Sequence, residues 1–285
     1  MARRLLFILL LALGSQARGQ HFYSGSEYGI TVGASQYFGD LNDEYGFKFV
    51  RPALGGFARY HLNPYISVRA NVLYTRVGYR DEFSENPYNR KRNLSFQSNI
   101  FEASVQAEFN FFRFSTGEVG SRWTPYLSGG VGAFYYDPFA ELNGKKYYLR
   151  PIGTEGQNAG FSERRYSKVS VCFPVGAGFK YWVRPGLNFG FEISNRLTLT
   201  DYMDDVSTNY IGSEYFPTSQ QFTNPSYILQ DRSVELDPDN PLGRAGKQRG
   251  NASTRDQYMM FLFHLSFQLK VYKCPAYMNN EMLGI

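Results

Sequence analysis

Phe101-Glu102-Ala103-Ser104-Val105-Gln106-Ala107-Glu108-Phe109-Asn110-Phe111 alternates without a break. The odd positions are Phe, Ala, Val, Ala, Phe and Phe, and the even positions are Glu, Ser, Gln, Glu and Asn. Successive side chains of a β-strand point to opposite faces, so this stretch predicts a strand with one oily and one polar face. Its length matches that of a tilted strand crossing a bilayer. Strands of soluble sandwiches also alternate, but they are usually shorter. The length favours a membrane.

The same pattern recurs on both sides of this stretch. Val169, Val171, Phe173, Val175, Ala177, Phe179 and Tyr181 alternate with Ser170, Cys172, Pro174, Gly176, Gly178 and Lys180. Leu187, Phe189, Phe191 and Ile193 alternate with Asn188, Gly190, Glu192 and Ser194, and Ile66, Val68, Ala70, Val72 and Tyr74 with Ser67, Arg69, Asn71 and Leu73. A last strand puts Met259, Phe261, Phe263, Leu265, Phe267, Leu269 and Val271 opposite His264, Ser266, Gln268 and Lys270. Three weaker, glycine-rich segments, 28–38, 54–62 and 123–136, bring the set to eight strands. Hydrocarbon cannot satisfy open backbone groups, so strands that cross a membrane must close on themselves. The expected fold is all-β: an eight-stranded antiparallel transmembrane barrel.

Connections alternate in length as well. Asn63-Pro64, Arg184-Pro185-Gly186 and a turn of roughly ten residues around Thr116-Gly117-Glu118 are short. The others run to about 12 residues (39–50), 15 (80–94), 30 (137–167) and 55 (200–256). Short turns on the periplasmic side and long loops outside are the outer-membrane pattern, which places both termini in the periplasm. The 200–256 segment, rich in Gly, Pro, Asn and Asp, is expected either to move freely or to fold over the barrel mouth. Aromatic residues make up 18% of the chain, with 23 Tyr and 25 Phe. They gather at both strand ends: Tyr60, Tyr65, Phe111, Trp123, Tyr126, Tyr181, Trp182 and Tyr272 beside the short turns, Tyr37, Tyr74, Tyr79, Tyr135, Tyr136 and Tyr258 beside the long loops. Two lipid-boundary girdles are expected.

The N-terminus supports export. Arg3-Arg4, an apolar run from Leu5 to Leu13 and the small residues of Ala17-Arg18-Gly19 read as a signal peptide over 1–19, too short for a membrane anchor. The barrel is then expected over 20–272 and a periplasmic tail over 273–285. A net charge of +5 without a large basic cluster argues against nucleic-acid binding.

Inward positions carry Arg59, Arg69, Lys180, Arg196 and Lys270 against Glu102, Glu108 and Glu192. An eight-stranded barrel has just enough interior for its own side chains, so these charges should pair into a plug and leave no channel. No cofactor, metal or catalytic site is expected. The only His residues are His21, His61 and His264, and the only Cys residues are Cys172 and Cys274, a poor supply of soft metal ligands. Cys172 should face the lumen and Cys274 the periplasm, too far apart to bond. His264 and Ser266 share a face at the spacing used by outer-membrane lipid A deacylases, with Glu102, Glu108 or Glu192 available to orient the imidazole. Both point inward, away from lipid, so a satisfied lumen histidine is the expected outcome. Asp201, Asp204, Asp205, Asp237, Asp239 and Asn240 lack the spacing of a calcium loop and read as solvated turn residues.

Several segments, in order, resemble PorG-like outer-membrane barrels of the Bacteroidota type IX secretion system. They are Gly33-Ala34-Ser35-Gln36-Tyr37-Phe38-Gly39-Asp40-Leu41-Asn42, Arg59-Tyr60-His61-Leu62-Asn63-Pro64-Tyr65, Tyr126-Leu127-Ser128-Gly129-Gly130-Val131-Gly132 and Thr200-Asp201-Tyr202-Met203-Asp204-Asp205-Val206-Ser207. The resemblance implies protein transport: such barrels are thought to tether a periplasmic ring of the PorK lipoprotein and PorN to the outer membrane. It carries no catalytic motif. The surfaces available for the tether are the short turns and the tail, which puts Arg113, Glu118, Arg122, Arg184, Lys273, Cys274 and Tyr277 forward as contacts. A structural or adhesive barrel binding surface ligands through its long loops is the alternative, and a lipid A deacylase a further one.

Overall fold

The computed structural model describes residues 25–118, 120–216 and 224–269. The expected leader, the last-strand residues Lys270, Val271 and Tyr272, and the tail from Lys273 all lie outside them. Eight antiparallel strands close into a barrel: β1 (Ser26–Phe38), β2 (Arg51–His61), β3 (Ile66–Arg80), β4 (Ser95–Asn110), β5 (Trp123–Tyr135), β8 (Val169–Arg184), β9 (Leu187–Thr198) and β10 (Gln257–Gln268). Each pairs with its neighbour in sequence along the barrel wall. β1 also pairs with β10 from Glu27 opposite Gln268 to Phe38 opposite Gln257, which leaves no free edge.

The outward residues are apolar and bare. Val72, Leu54, Ile30, Phe101 and Val105 are each more than half exposed, and they form one continuous band with Phe109, Val131 and Val175. A surface of this kind is unfavourable in water and at home in hydrocarbon, so the barrel spans a membrane. No helix among the described residues is long and apolar enough to do so.

The alternation marks the strand centres correctly, but two strands run past it. β3 continues from Tyr74 to Arg80, and β4 starts at Ser95, six residues before Phe101. Above the ring pair of Tyr74 and Phe101, the outward positions turn polar: Arg76, Gln97 and Asn99, with Arg76 Nε donating to Asn99 Oδ1 at 2.9 Å. At about 3.3 Å per residue, sixteen residues reach well beyond the hydrocarbon, so the barrel stands out of the membrane on its loop side. Pattern reading stops where the oily face stops, not where the strand stops.

The 137–167 connection, expected as plain loop, contains a hairpin of β6 (Pro138–Leu142) and β7 (Lys145–Tyr148). β6 pairs with the protruding part of β4, just beyond the end of β5. Short helices α1 (Pro87–Arg92), α2 (Leu149–Ile152) and α3 (Pro225–Gln230) complete the loops, and the described parts of 200–256 fold over the barrel mouth. Of the six residues expected in the girdle on this side, two face outward and four do not. Tyr74 and Tyr135 face outward, but Tyr37, Tyr79, Tyr136 and Tyr258 are buried and pack with Phe96, Ile100, Phe134, Met260 and Leu262 into an apolar layer between lumen and loops. Position along the strand places an aromatic at the right height; only its parity says which way it faces. At the turn end Tyr60, Tyr65, Phe111 and Trp123 are exposed as expected, whereas Tyr126 and Trp182 are buried.

Candidate functional site

The barrel interior is a set of buried charges arranged from the turn end upward. Lowest, Arg59 Nη1 lies 2.7 Å from Glu27 Oε1, and Arg59 Nη2 donates to Glu108 Oε1 at 3.1 Å. Glu108 also takes Lys180 at 2.5 Å and Arg69 at 3.1 Å, so one carboxylate serves three cations. His61 bridges Glu27 (2.8 Å) and Ser67 (2.9 Å). In the middle, Arg69 Nη2 donates to Glu192 (2.7 Å) and Gln106 (2.6 Å), and the Tyr126 hydroxyl donates to Glu192 at 2.7 Å. Uppermost, Arg196 Nε meets Glu102 at 3.1 Å, under the Tyr258 hydroxyl that donates to the same carboxylate at 2.9 Å.

Arg59, Arg69, Lys180 and Arg196 thus face Glu27, Glu102, Glu108 and Glu192, all at most 4% exposed. Bringing a charge into such a space costs several kcal/mol, and only close pairing with further hydrogen bonds offsets it. Small residues make the room. A Cβ on Gly29 would meet the Phe57 ring at 2.6 Å, and that ring supports the guanidinium of Arg59 at 4.8 Å. A Cβ on Gly178 would strike the Tyr126 ring at 2.6 Å. The glycine-rich strands read as weak in sequence because their inward side is space for neighbours.

Glu27 is the member that sequence reasoning missed. Parity was the available signal: Tyr28, Ile30 and Val32 face lipid, so Glu27 one residue earlier faces the lumen. Cys172 is buried and free, on the inward face as expected. His264 and Ser266 are also inward, but they turn to different partners. His264 Nδ1 bonds Thr31 Oγ1 at 2.9 Å, its Nε2 lies 3.9 Å from Glu192, and Ser266 donates to Glu27. A nucleophile needs its base within hydrogen-bond reach, and this pair instead spends its polar atoms on the lumen network.

Both ends of the lumen are covered. At the turn end, Phe114 is buried, its N–H reaching Pro64 O at 3.3 Å, while Thr116 Oγ1 accepts from Gly186 N at 3.0 Å. The turn that follows β4 therefore ties the three short turns together. Of the residues put forward as contacts, Arg113 and Glu118 pair with each other at 3.1 Å on the surface, Arg122 stacks on Trp182 at 4.7 Å, and Arg184 is exposed. Lys273, Cys274 and Tyr277 lie outside the described residues.

The loop end carries a second buried polar network, unforeseen from sequence. Arg92, part of the only basic triplet, is buried and holds both Asp81 oxygens at 2.7 Å while donating to Asp40 O at 3.0 Å. Arg249 donates to Glu155 at 3.0 Å and to Asp205 O at 2.7 Å. Asp204 and Asp205, expected as solvated turn residues, are buried. Asp205, in the left-handed region at φ 65, accepts from Tyr166 at 2.6 Å and from Thr154. Burial pushes Asp205 up to about 6 and Asp201 up to about 7. Polar composition suggested solvent, but the long loops bury each other. Beside this network a polar cleft of about 600 Å³ opens between three loops, its lining including Asp43, Tyr45, Tyr88, Lys247 and Asn251.

Among solved structures, the chain is similar to Ail, the attachment invasion locus protein of Yersinia pestis, at 10% identity over 86% of this chain and 99% of that one, with a TM-score of 0.38. It is similar to the N-terminal β-barrel domain of Pseudomonas aeruginosa OprF at 9% identity over 86% and 99%, TM-score 0.36. Neisserial surface protein A matches at 13% identity over 85% and 96%, TM-score 0.38. Likeness at this level does not bear on what the chain binds or does. No curated protein matches it. One protein family matches residues 2–224, most of the chain, which therefore belongs to the family described as Domain of unknown function (DUF6089).

Proposed function

We propose that this chain is a non-catalytic, non-conducting outer-membrane barrel that serves as a fixed support, with both termini and the short turns in the periplasm. The observation that carries this reading is the filled interior. Paired charges occupy the lumen and each end is covered, so the molecule acts through its two ends.

At the turn end, the 113–122 turn presents Arg113, Glu118 and Arg122 on an ordered base, with Arg184 nearby. Exposed Phe111, Phe112 and Trp123 sit beside it at the lipid boundary. Arginine and aromatic residues together suit a protein interface. The resemblance to PorG-like barrels supplies the partner: the periplasmic ring of the PorK lipoprotein and PorN, which this surface and the tail from Lys273 would tether to the membrane. A lipoprotein reaches the same membrane plane. The test is purification of the intact protein from its own outer membrane in detergent. The ring proteins should co-purify, and should be lost when 113–122 is replaced by a short glycine-serine turn and the tail from 273 is removed. Ring proteins retained by a folded barrel lacking both elements would sink the tether.

The polar cleft at the loop end favours a second reading, capture of a surface ligand through the long loops. Under it, Tyr45→Ala would abolish surface attachment and leave the turn-end partner bound. The lipid A deacylase reading has less support, since Ser266 and His264 face the closed lumen. Lipid A acylation is expected to be unchanged by His264→Ala or Ser266→Ala.

A further inference from the structure

The loop network meets the barrel at Tyr37, the penultimate residue of β1, which is fully buried. Its hydroxyl lies 2.6 Å from Asp204 Oδ2 and 2.7 Å from Asp256 Oδ1. A phenol has one proton to donate. It satisfies one carboxylate, and the other oxygen then faces the phenol's lone pairs at hydrogen-bond distance. As an anion that oxygen would repel; as a protonated acid it donates. The outer oxygens of both carboxyls are already occupied as acceptors, Asp204 Oδ1 from Val206 N at 2.9 Å and Asp256 Oδ2 from Met203 N at 2.8 Å. The extra proton therefore belongs on an oxygen that faces Tyr37.

Among the described residues, the charged groups with the largest effect on the pair are further acids. Facing it are Asp40 from the first long loop, Asp201 from the pair's own fourth loop and Tyr136 beyond β5. Of the nearby cations, Arg92, whose field reaches Asp204, is held by both oxygens of Asp81, and Arg249, which with Arg92 acts on Asp40, is paired with Glu155. Among the described residues, no group of three His, Cys, Asp or Glu side chains is placed to hold a metal ion.

We propose that Asp204 and Asp256 share one proton through Tyr37, and that this proton clamps the long fourth loop to the barrel, so that the cap tightens in acid and loosens as pH rises. Burial, and then the neighbouring carboxyls (Asp256 and Asp40 for Asp204, Asp201 and Asp40 for Asp256), holds both well above the usual aspartate value. An opened loop would release the proton at the ordinary value of about 3.9. Closing thus takes up a proton: the closed state has its full advantage at or below that pH and loses it as pH climbs to the raised value. One proton per closure changes the open fraction by up to about tenfold per pH unit within that window.

Hydrogen exchange of the intact barrel in detergent, corrected for the intrinsic effect of pH, tests this between about pH 5 and 9. Amides of 224–256 should lose protection as pH rises, with β10 amides as the unchanged internal reference. In Asp256→Asn the amide oxygen can accept from Met203 and the amide nitrogen can donate to Tyr37, so protection should persist in alkali with a shallower slope. Asp204→Asn should behave alike, Tyr37→Phe should loosen the loop at acid pH, and EDTA should change nothing. A wild-type slope in both Asn variants would overturn the proposal, as would protection that vanishes with EDTA.

Discussion

The lumen and the cap solve the same problem in different ways. Each buries carboxylates away from water. In the lumen every buried Glu meets a guanidinium or ammonium: Glu108 alone is touched by Arg59, Arg69 and Lys180. In the cap, acids outnumber nearby cations around Tyr37, and the balance is made with a proton. A cation fixed on a strand is present at every pH, whereas a proton is not. The lumen is accordingly built to be permanent and the cap to be conditional, which fits a molecule whose wall must hold while its loops meet the outside.

The largest effect should come from breaking the lumen at its hub. Glu108→Ala leaves three buried cations short of a partner and should cost about 3–5 kcal/mol. Urea titration of refolded barrel, followed by its heat-modifiable mobility, would read it; a loss below about 1 kcal/mol would mean the lumen is wetter than described. Arg92→Ala removes the bidentate pair with Asp81 and its links to two loop carbonyls. Its cost of about 3 kcal/mol should be confined to the cap, seen as faster proteolysis of the loops with the barrel's urea midpoint unmoved. If barrel and cap fail together, they are one cooperative unit and the cap is as permanent as the lumen.

Removing both members of a pair should cost far less than removing one. Arg196→Leu with Glu102→Leu takes away a charge of each sign and should fall within about 1–2 kcal/mol of the parent, the remainder reflecting the stranded Tyr258 hydroxyl. Arg196→Leu alone should be clearly worse. Smallest is the surface pair of Arg113 and Glu118, with side chains 48% and 25% exposed. Glu118→Ala should change stability by less than about 1 kcal/mol, which makes it a clean probe of partner binding.

The wall of this molecule was legible in its sequence because a membrane enforces period-two patterning on every strand it touches. Phe101 to Phe111 announced β4, and the same parity placed Arg59, Arg69, Glu102, Glu108, Lys180, Glu192 and Arg196 inside. Legibility ended with the lipid. Above Tyr74 and Phe101 nothing demands an oily outer face, so the extensions of β3 and β4 and the β6–β7 hairpin carried no comparable signal. The cap was opaque for a further reason: its burial comes from loops covering each other, so Asp204, Asp205, Arg92 and Arg249 carry the residue types of a solvated surface and sit in an interior. Glu27 was missed because the expected first strand, 28–38, began one residue after it, whereas β1 starts at Ser26.

The barrel is closed by its own charges. Electrical recording of single molecules of the purified full-length protein in planar bilayers is the decisive check on this closure. The filled lumen calls for a silent membrane, with no steady open level at any moderate voltage. A stable conductance on the nanosiemens scale would contradict it, because no aqueous path of that size fits beside Arg59, Arg69, Lys180 and Arg196 paired as they are.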